Sequence, residues 1–469
     1  IACSQKAQPN KPLALQGYLN RRSVFKYNLY SQGSDMKIRT ITILCAAIIC
    51  TGLYFLFTDE ALNPKIIAIQ HKYAKPINTD SSANAYIELM SWQYNEKDAY
   101  QLAISKYNAM ISKLDTTPLK EISPIKYPQF KVPGVTTKRL FECRFSEVSC
   151  VKQLISQREK FEETINNNRA LLQKWYSLAQ YTNFEPLNPL ITATVFEPIN
   201  QLNNLAALDI LYKIEDGELI QAEQLIATLI SLNRKLLSSP DDAMFKVIPL
   251  LNISGLYVAL IERMSDKGYK TWTYVPKVIE LLTFNEWTFN SLEQQKVYKA
   301  SSVYGFKQVS SFKTDLQPLI NDIRTKLFYK ENITINTLSD FHLMQVIPND
   351  TPKSELLKKK KLVTYFRDNF YTSALYRYCN VCEIYLHLNN IAGYTFIMDY
   401  YQRHIDLSKD IINLDLTFQL LRLKILGNKN SNNAVLAEKQ WQEPYLQTQP
   451  FIKDDMVCYH IEEDVCIRR

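Results

Sequence analysis

From Thr40 to Thr58 the chain runs for 19 residues without a charged side chain. A helix rises 1.5 Å per residue, so such a run is about long enough to cross the hydrocarbon core of a bilayer. Its flanks are asymmetric: Lys37 and Arg39 precede it, and Asp59 and Glu60 follow it. Basic residues favour the cytoplasmic side of a membrane. The run therefore predicts a single-pass anchor through residues 40–58, with a cytoplasmic N-terminus and the bulk of the chain across the membrane. A cleaved signal peptide has a shorter apolar stretch and ends in small residues, whereas this run ends in the bulky "GLYFLF". A lipoprotein needs a small residue before its modified cysteine, but Cys50 follows Ile48 and Ile49. A buried core helix is the remaining alternative.

Charge supports the topological reading. The net charge is +8, and residues 1–58 carry +6 of it. The rest of the chain is close to neutral and shows no basic footprint of the kind a nucleic-acid-binding domain needs. Residues 1–35 are polar and lack periodicity. "MKIRT" at Met36, followed by an apolar run, is how a bacterial inner-membrane anchor begins. Met36 is accordingly the expected start, with residues 1–35 a non-native extension or a disordered cytoplasmic tail.

Beyond the anchor the expected fold is mostly α. Gly is scarce, at 10 of 469 residues, which disfavours β-rich folds and phosphate-binding loops. Residues 61–135 read as juxtamembrane helices, near 83–92 and 96–114, and a stretch broken by Pro118, Pro124, Pro128 and Pro133. Residues 136–430 read as a helical domain. Val151, Leu154, Ile155, Phe161, Ile165, Leu172, Trp175 and Leu178 recur at helical spacing and predict one long helix. A helical hairpin follows over about 199–214 and 218–237, turning at Gly217. The next helix runs to about Met264, with a kink at Pro249. Shorter helices are expected at 275–284, 290–301 and 315–330, and again across 354–426. The hairpin pattern is compatible with tetratricopeptide-like stacking or with a plain helical array. Residues 431–469 read as a small β-hairpin or irregular tail held by a disulfide.

Of nine cysteines, six lie beyond the anchor in three close pairs: Cys143 with Cys150, Cys379 with Cys382, and Cys458 with Cys466. Paired cysteines point to an oxidising compartment. Cys143–Cys150 and Cys458–Cys466 are the favoured bridges, although six cysteines allow 15 pairings. "CNVC" reads as a helix-terminal disulfide or two thiols on one helix face. A redox pair, or with His387 a partial metal site, is the alternative.

Catalytic signatures are missing: no GxSxG, HExxH, GxxxxGK[ST] or GxGxxG occurs. His71, His342, His387, His404 and His460 are scattered. Ser310–Lys313 and Ser123–Lys126 match Ser-x-x-Lys without its companion motifs. No residue is assigned to catalysis, a cofactor or a metal. The basic run Lys358, Lys359, Lys360 and Lys361 is a solvated helix face or a contact for anionic lipid or an acidic partner. Sequons at Asn252, Asn332 and Asn349 are expected to stay unused in a bacterial protein.

Taken in order, the anchor, "NAYIELMSW", "CRFSEVSC", "LNRKLLSSPDDAMFKVIPLLNISGLYVALIERM", "LNNIAGYTFIMDYYQRHIDLSKDIINLDLTFQLLRLKI" and the late turn "EPYLQTQPF" resemble a group of membrane-anchored, mostly helical bacterial proteins without an assigned activity. The resemblance spans most of residues 36–469 and implies architecture and location only. In that group the late turn carries a Gly and a Trp-Asp, where this chain has Gln447, Thr448 and Gln449. The expected function is a periplasmic helical scaffold that binds an envelope partner. The alternatives are an enzyme acting on an envelope polymer and a thiol-redox helper using Cys379 and Cys382.

Overall fold

The computed structural model describes residues 42–44, 61, 83–94, 96–116, 132–134, 145–185, 196–239, 243–287, 353–355, 357–358, 391–426, 436 and 438–468. Residues 1–58 and 59–469 form two separate units. Of the first, Thr42–Leu44 are described; they are helical and exposed. The rest of the expected 40–58 anchor lies outside the described residues.

The second unit is mostly helical with a small C-terminal sheet. Helix α1 (Ala85–Ser91) starts at Asn84, whose side chain accepts the Tyr86 N–H as an N-cap. Helix α2 (Ala99–Thr116) buries Ala103, Ile104, Tyr107 and Ile111, one stripe at three- and four-residue spacing.

The long helix expected over 151–178 is instead three: α3 (Val148–Ser156), α4 (Arg158–Asn167) and α5 (Arg169–Ser177). The chain breaks at Gln157 and Asn168, which leave helical geometry at φ −104° and −108°. Asn168 is buried, and its Nδ2 donates to Pro133 O and Thr164 O, both at 2.8 Å. Its amide ties the helix to the 132–134 loop and competes with the helical ladder, as Asn does when it sits inside a helix.

The core lies in α6 (Phe196–Glu215), α7 (Leu219–Ser238) and the helix that follows. Helix α6 is buried on nearly every face, from Ile199 to Ile214. Such a helix must sit between others, and α7, α8 and α9 pack around it. Gly217 takes φ +80°, Glu218 N–H bonds Lys213 O and Gly217 N–H bonds Ile214 O. These two bonds form a Schellman ending, which reverses the chain into α7 as the sequence predicts.

Helix α8 (Ala243–Asn252) passes through Pro249, becomes a π-helical turn at Ile253–Tyr257, and continues as α9 (Val258–Asp266). The irregularity therefore falls after Pro249. Lys246–Asp266 is the one helix among the described residues long and apolar enough to cross a membrane, and half of its apolar window is buried in the protein. It packs in the core, beside α6 and α7. Three buried amides and a hydroxyl join these helices. Asn233 Nδ2 donates to Asn203 Oδ1 at 3.0 Å, Asn252 Nδ2 to Asn233 Oδ1 at 3.3 Å, and the Tyr257 hydroxyl to Asn203 Oδ1. Satisfied polar groups of this kind specify how helices pair, because any other register leaves them unpaired.

The expected helix over 275–284 is a short 3₁₀ turn, Val275–Lys277, and a four-residue helix, α10 (Phe284–Trp287). Helix α11 (Ile391–Leu426) is a single 36-residue element. Its C-terminal half buries Leu407, Ile411, Leu414, Phe418 and Leu421 and packs on α8 and the sheet. The sheet is antiparallel, in the order β1 (Phe451–Lys453), β2 (Met456–His460), β3 (Asp464–Arg468). Cys458 lies directly opposite Cys466 and is disulfide-bonded to it. The tail is thus a three-stranded meander, one strand more than a hairpin.

Candidate functional site

Four buried carboxylates are the most chemically distinctive groups among the described residues. Each is surrounded by donors. Glu223 on α7 accepts the N–H groups of Thr273, Tyr274 and Val275 at 2.7, 2.6 and 3.0 Å, and the Tyr269 hydroxyl at 2.8 Å. It folds the 269–275 loop back onto the helix. Glu286 accepts Thr283 N–H and takes Nε and Nη2 of Arg234, one edge of the guanidinium, at 2.5 and 2.7 Å. Arg234 also donates to the carbonyls of Val278, Glu280 and Leu281.

Glu443, fully buried, accepts Tyr445 N–H at 2.6 Å, and Leu446 N–H and Thr448 N–H at 2.7 and 2.9 Å. The "EPYLQTQPF" turn is built on this side chain. Gln447 within it takes φ +60°, the left-handed conformation that glycine adopts without steric cost.

Asp415 joins three parts of the chain to α11. Its carboxylate accepts Leu282 N–H at 2.7 Å and the Tyr445 hydroxyl at 3.1 Å, and it forms a salt bridge with Lys353. Burial raises the pKa of this carboxyl, and Lys353, Leu282 N–H and Tyr445 pull against that rise. Beside it, Leu357, Lys409, Ile412, Asn413, Leu416 and the β2–β3 turn enclose a recess of about 20 Å³, room for one water.

These carboxylates are anchors for backbone and cations. An ionised carboxylate has about four acceptor sites, and Glu223, Glu286 and Glu443 each fill theirs with four donors, Asp415 three of its own. Asp209 shows the same use at the edge of the core, with Arg169 Nη1 at 3.1 Å and the Tyr176 hydroxyl at 3.5 Å. Burial and the Asp209 charge push the Tyr176 phenol up. Burial pushes Tyr181 up to about 12, helped by the Glu88 carboxylate. Phenols shifted this way stay protonated at neutral pH and act as donors. Among the described residues no group of His, Cys, Asp and Glu could hold a metal ion.

Of the residues singled out in the sequence, Cys458 and Cys466 are brought together as a disulfide. Lys358 is exposed and pairs with Glu355, three residues earlier on the same turn. Lys359, Lys360 and Lys361 lie outside the described residues, as do Cys143, Cys379, Cys382 and both Ser-x-x-Lys pairs. Cys150 is buried and disulfide-bonded. His460 is exposed, 2.7 Å from Asp464. Asn252 is buried in the amide network, which closes that sequon to a glycan in the folded protein.

The anchoring carboxylates carried no signal in the sequence. Compared with family models, with curated proteins and with solved structures, the chain matches none.

Proposed function

We propose that this chain is a single-pass, inner-membrane-anchored protein whose helical domain lies in the periplasm of a bacterium and serves as a scaffold for an envelope protein partner. The α6–α7 hairpin stacked on α8 and α9 is its tetratricopeptide-like element, and residues 40–58 are its anchor. The resemblance to membrane-anchored helical bacterial proteins agrees with this architecture. The observation that carries the reading is the disulfide pairing of Cys458 and Cys466, with Cys150 also disulfide-bonded, in the chain beyond the apolar run. Disulfides persist in the periplasm and are rare in the cytosol. The buried carboxylates favour a scaffold over an enzyme, because their donors hold the fold and leave no acid or base poised.

Thiol trapping in intact cells tests the location. Cells are quenched in acid and alkylated with a mass-tagging maleimide, with and without prior reduction. Cys458 and Cys466 are expected to react only after reduction, in the membrane fraction. Free thiols at both positions in unreduced cells place the domain in the cytosol and overturn the reading. Crosslinking in the same cells is expected to recover an envelope protein attached to the 196–266 surface.

A further inference from the structure

Side chains alternate between the two faces of a strand, and the C-terminal sheet uses its faces differently. Val457, Tyr459 and Ile467 are buried on the inner face, and the sheet packs on α11. Lys453, His460, Asp464 and Arg468 are exposed on the outer face. Cys458 alternates with Val457 and Tyr459 and lies directly opposite Cys466. The disulfide between them is therefore on the outer face.

Its two sulfurs are not equivalent. Cys458 is on the central strand β2, fully buried, and Cys466 is on β3, partly exposed. Thiol–disulfide exchange proceeds by attack of a thiolate on one sulfur while the other leaves. The attack runs along the S–S axis, from the side away from the leaving sulfur. For Cys458 that side holds Phe451, its opposite neighbour on β1. For Cys466 it is the edge of the sheet, with which no further strand pairs among the described residues. Asp464 and Arg468 stand about 7 Å to either side of Cys466 along the strand, an opening that fits a small thiol. Lys453 on β1 reaches Asp464 on β3 at 2.6 Å. In the sheet register the line between them crosses the position of Cys458. A cation there favours a thiolate, so the shielded sulfur is also the better leaving group. The sheet does not need the bridge to stay paired, because β2 and β3 share five register pairs.

We propose that the Cys458–Cys466 disulfide is a site of reversible S-thiolation, in which a small thiol attacks Cys466 and Cys458 leaves. The incoming thiolate forms a new S–S bond to Cys466 Sγ. The Cys458–Cys466 bond breaks, its electron pair stays on Cys458, and that sulfur takes up the proton the small thiol gave to solvent. One disulfide is exchanged for another without net oxidation. Return attack of Cys458 on Cys466 expels the small thiol and restores the bridge. The proposal goes beyond the scaffold reading and does not rest on it.

The test treats the purified full chain, natively folded in detergent, with excess glutathione. Samples are quenched in acid at short times, alkylated and mapped by peptide mass spectrometry. Glutathione on Cys466 with a free thiol at Cys458 is expected at least about ten times as often as the reverse. An even split, a preference for Cys458, or no adduct until denaturant unfolds the chain overturns the proposal. Phe451→Ala opens the second line of attack and should bring the preference to within about threefold; an unchanged preference overturns the in-line argument. If Phe451→Ala does not fold, Lys453→Gln replaces it. That variant should slow adduct formation by about threefold or more at the same site, and an unchanged rate counts against the proposal in the same way.

Discussion

Along α6 and α7 nearly every apolar side chain is sealed by other apolar side chains, whereas residues 438–468 lean on one carboxylate, one disulfide and a few hydroxyls. The hairpin buries Leu202, Leu205, Leu208, Leu211, Leu229 and Leu232 among many others. The tail buries Trp441, Tyr445, Val457, Tyr459 and Ile467. Tyr459 donates its hydroxyl to Trp441 O, and Glu443 gathers the turn between them. A sheet this small needs a hydrophobic face or a helix to pack on, and this one packs on α11. The tail replaces missing apolar area with directed contacts and a covalent bridge. The difference teaches where each region should fail, and four changes sharpen it.

The largest effect is expected in the hairpin. Leu208→Ala removes a fully buried side chain of α6 and should cost about 2–5 kcal/mol through lost burial and the cavity left behind. Denaturant unfolding followed by tryptophan fluorescence should show it as a lower midpoint for the whole helical core. In the tail, Cys458→Ala with Cys466→Ala opens a loop with a sequence separation of 8. It should cost about 2–3 kcal/mol, confined to the sheet. Hydrogen exchange should rise at 451–468 and stay unchanged in α6. A global loss equal to that of Leu208→Ala would erase the distinction between the two regions.

Gln447→Gly should act in the opposite direction. It relieves a side chain held at φ +60° and should stabilise the turn by up to about 1 kcal/mol, read as slower exchange at 445–449.

The smallest effect comes from the hairpin's loop end and depends on pH. For Glu215, burial alone would raise the carboxyl pKa, but the Arg263 and Lys267 hydrogen bonds outweigh it and the net shift is downward. For Asp216 the Arg158 hydrogen bonds lower it outright. Both groups bind fewer protons when folded. Their stabilisation is thus complete above their ordinary values of 4.5 and 3.8 and is lost as pH falls through the lowered folded values. Arg158→Gln should lower stability slightly near neutral pH, where this contribution is complete, leave it unchanged at the acid end, and so make the acid limb of a stability–pH curve shallower. An acid limb as steep as that of the unmodified protein would remove Asp216 from the account.

What could be read from the chain follows the same division. The hairpin announces itself, because α6 and α7 are apolar at helical spacing and Gly217 marks their turn. The mostly helical class and the small β tail follow from scarce glycine and from the alternation around Val457, Tyr459 and Ile461. The breaks at Gln157 and Asn168 do not. Neither residue is Pro or Gly, and the cause at Asn168 is a hydrogen bond to a loop 35 residues away. The buried carboxylates were illegible for a related reason. An acidic residue in sequence looks solvated, and only the backbone N–H groups that converge on it make burial tolerable. Glu223 and Asp415 draw those groups from parts of the chain 50 and 133 residues distant.

The π turn at Ile253–Tyr257 has a geometric consequence for the helix that carries it. Each residue advances an α-helix by about 100°, and a π turn inserts one residue's worth of phase. The apolar stripe of α8 is thereby rotated out of line with that of α9. The first half, α8, then meets α11 as well as α6, and the second half, α9, stays against α6. Leu251 is left on the outside where the phases part company. Deleting Gly255 would put the two stripes back in step and turn one of them away from its present neighbours.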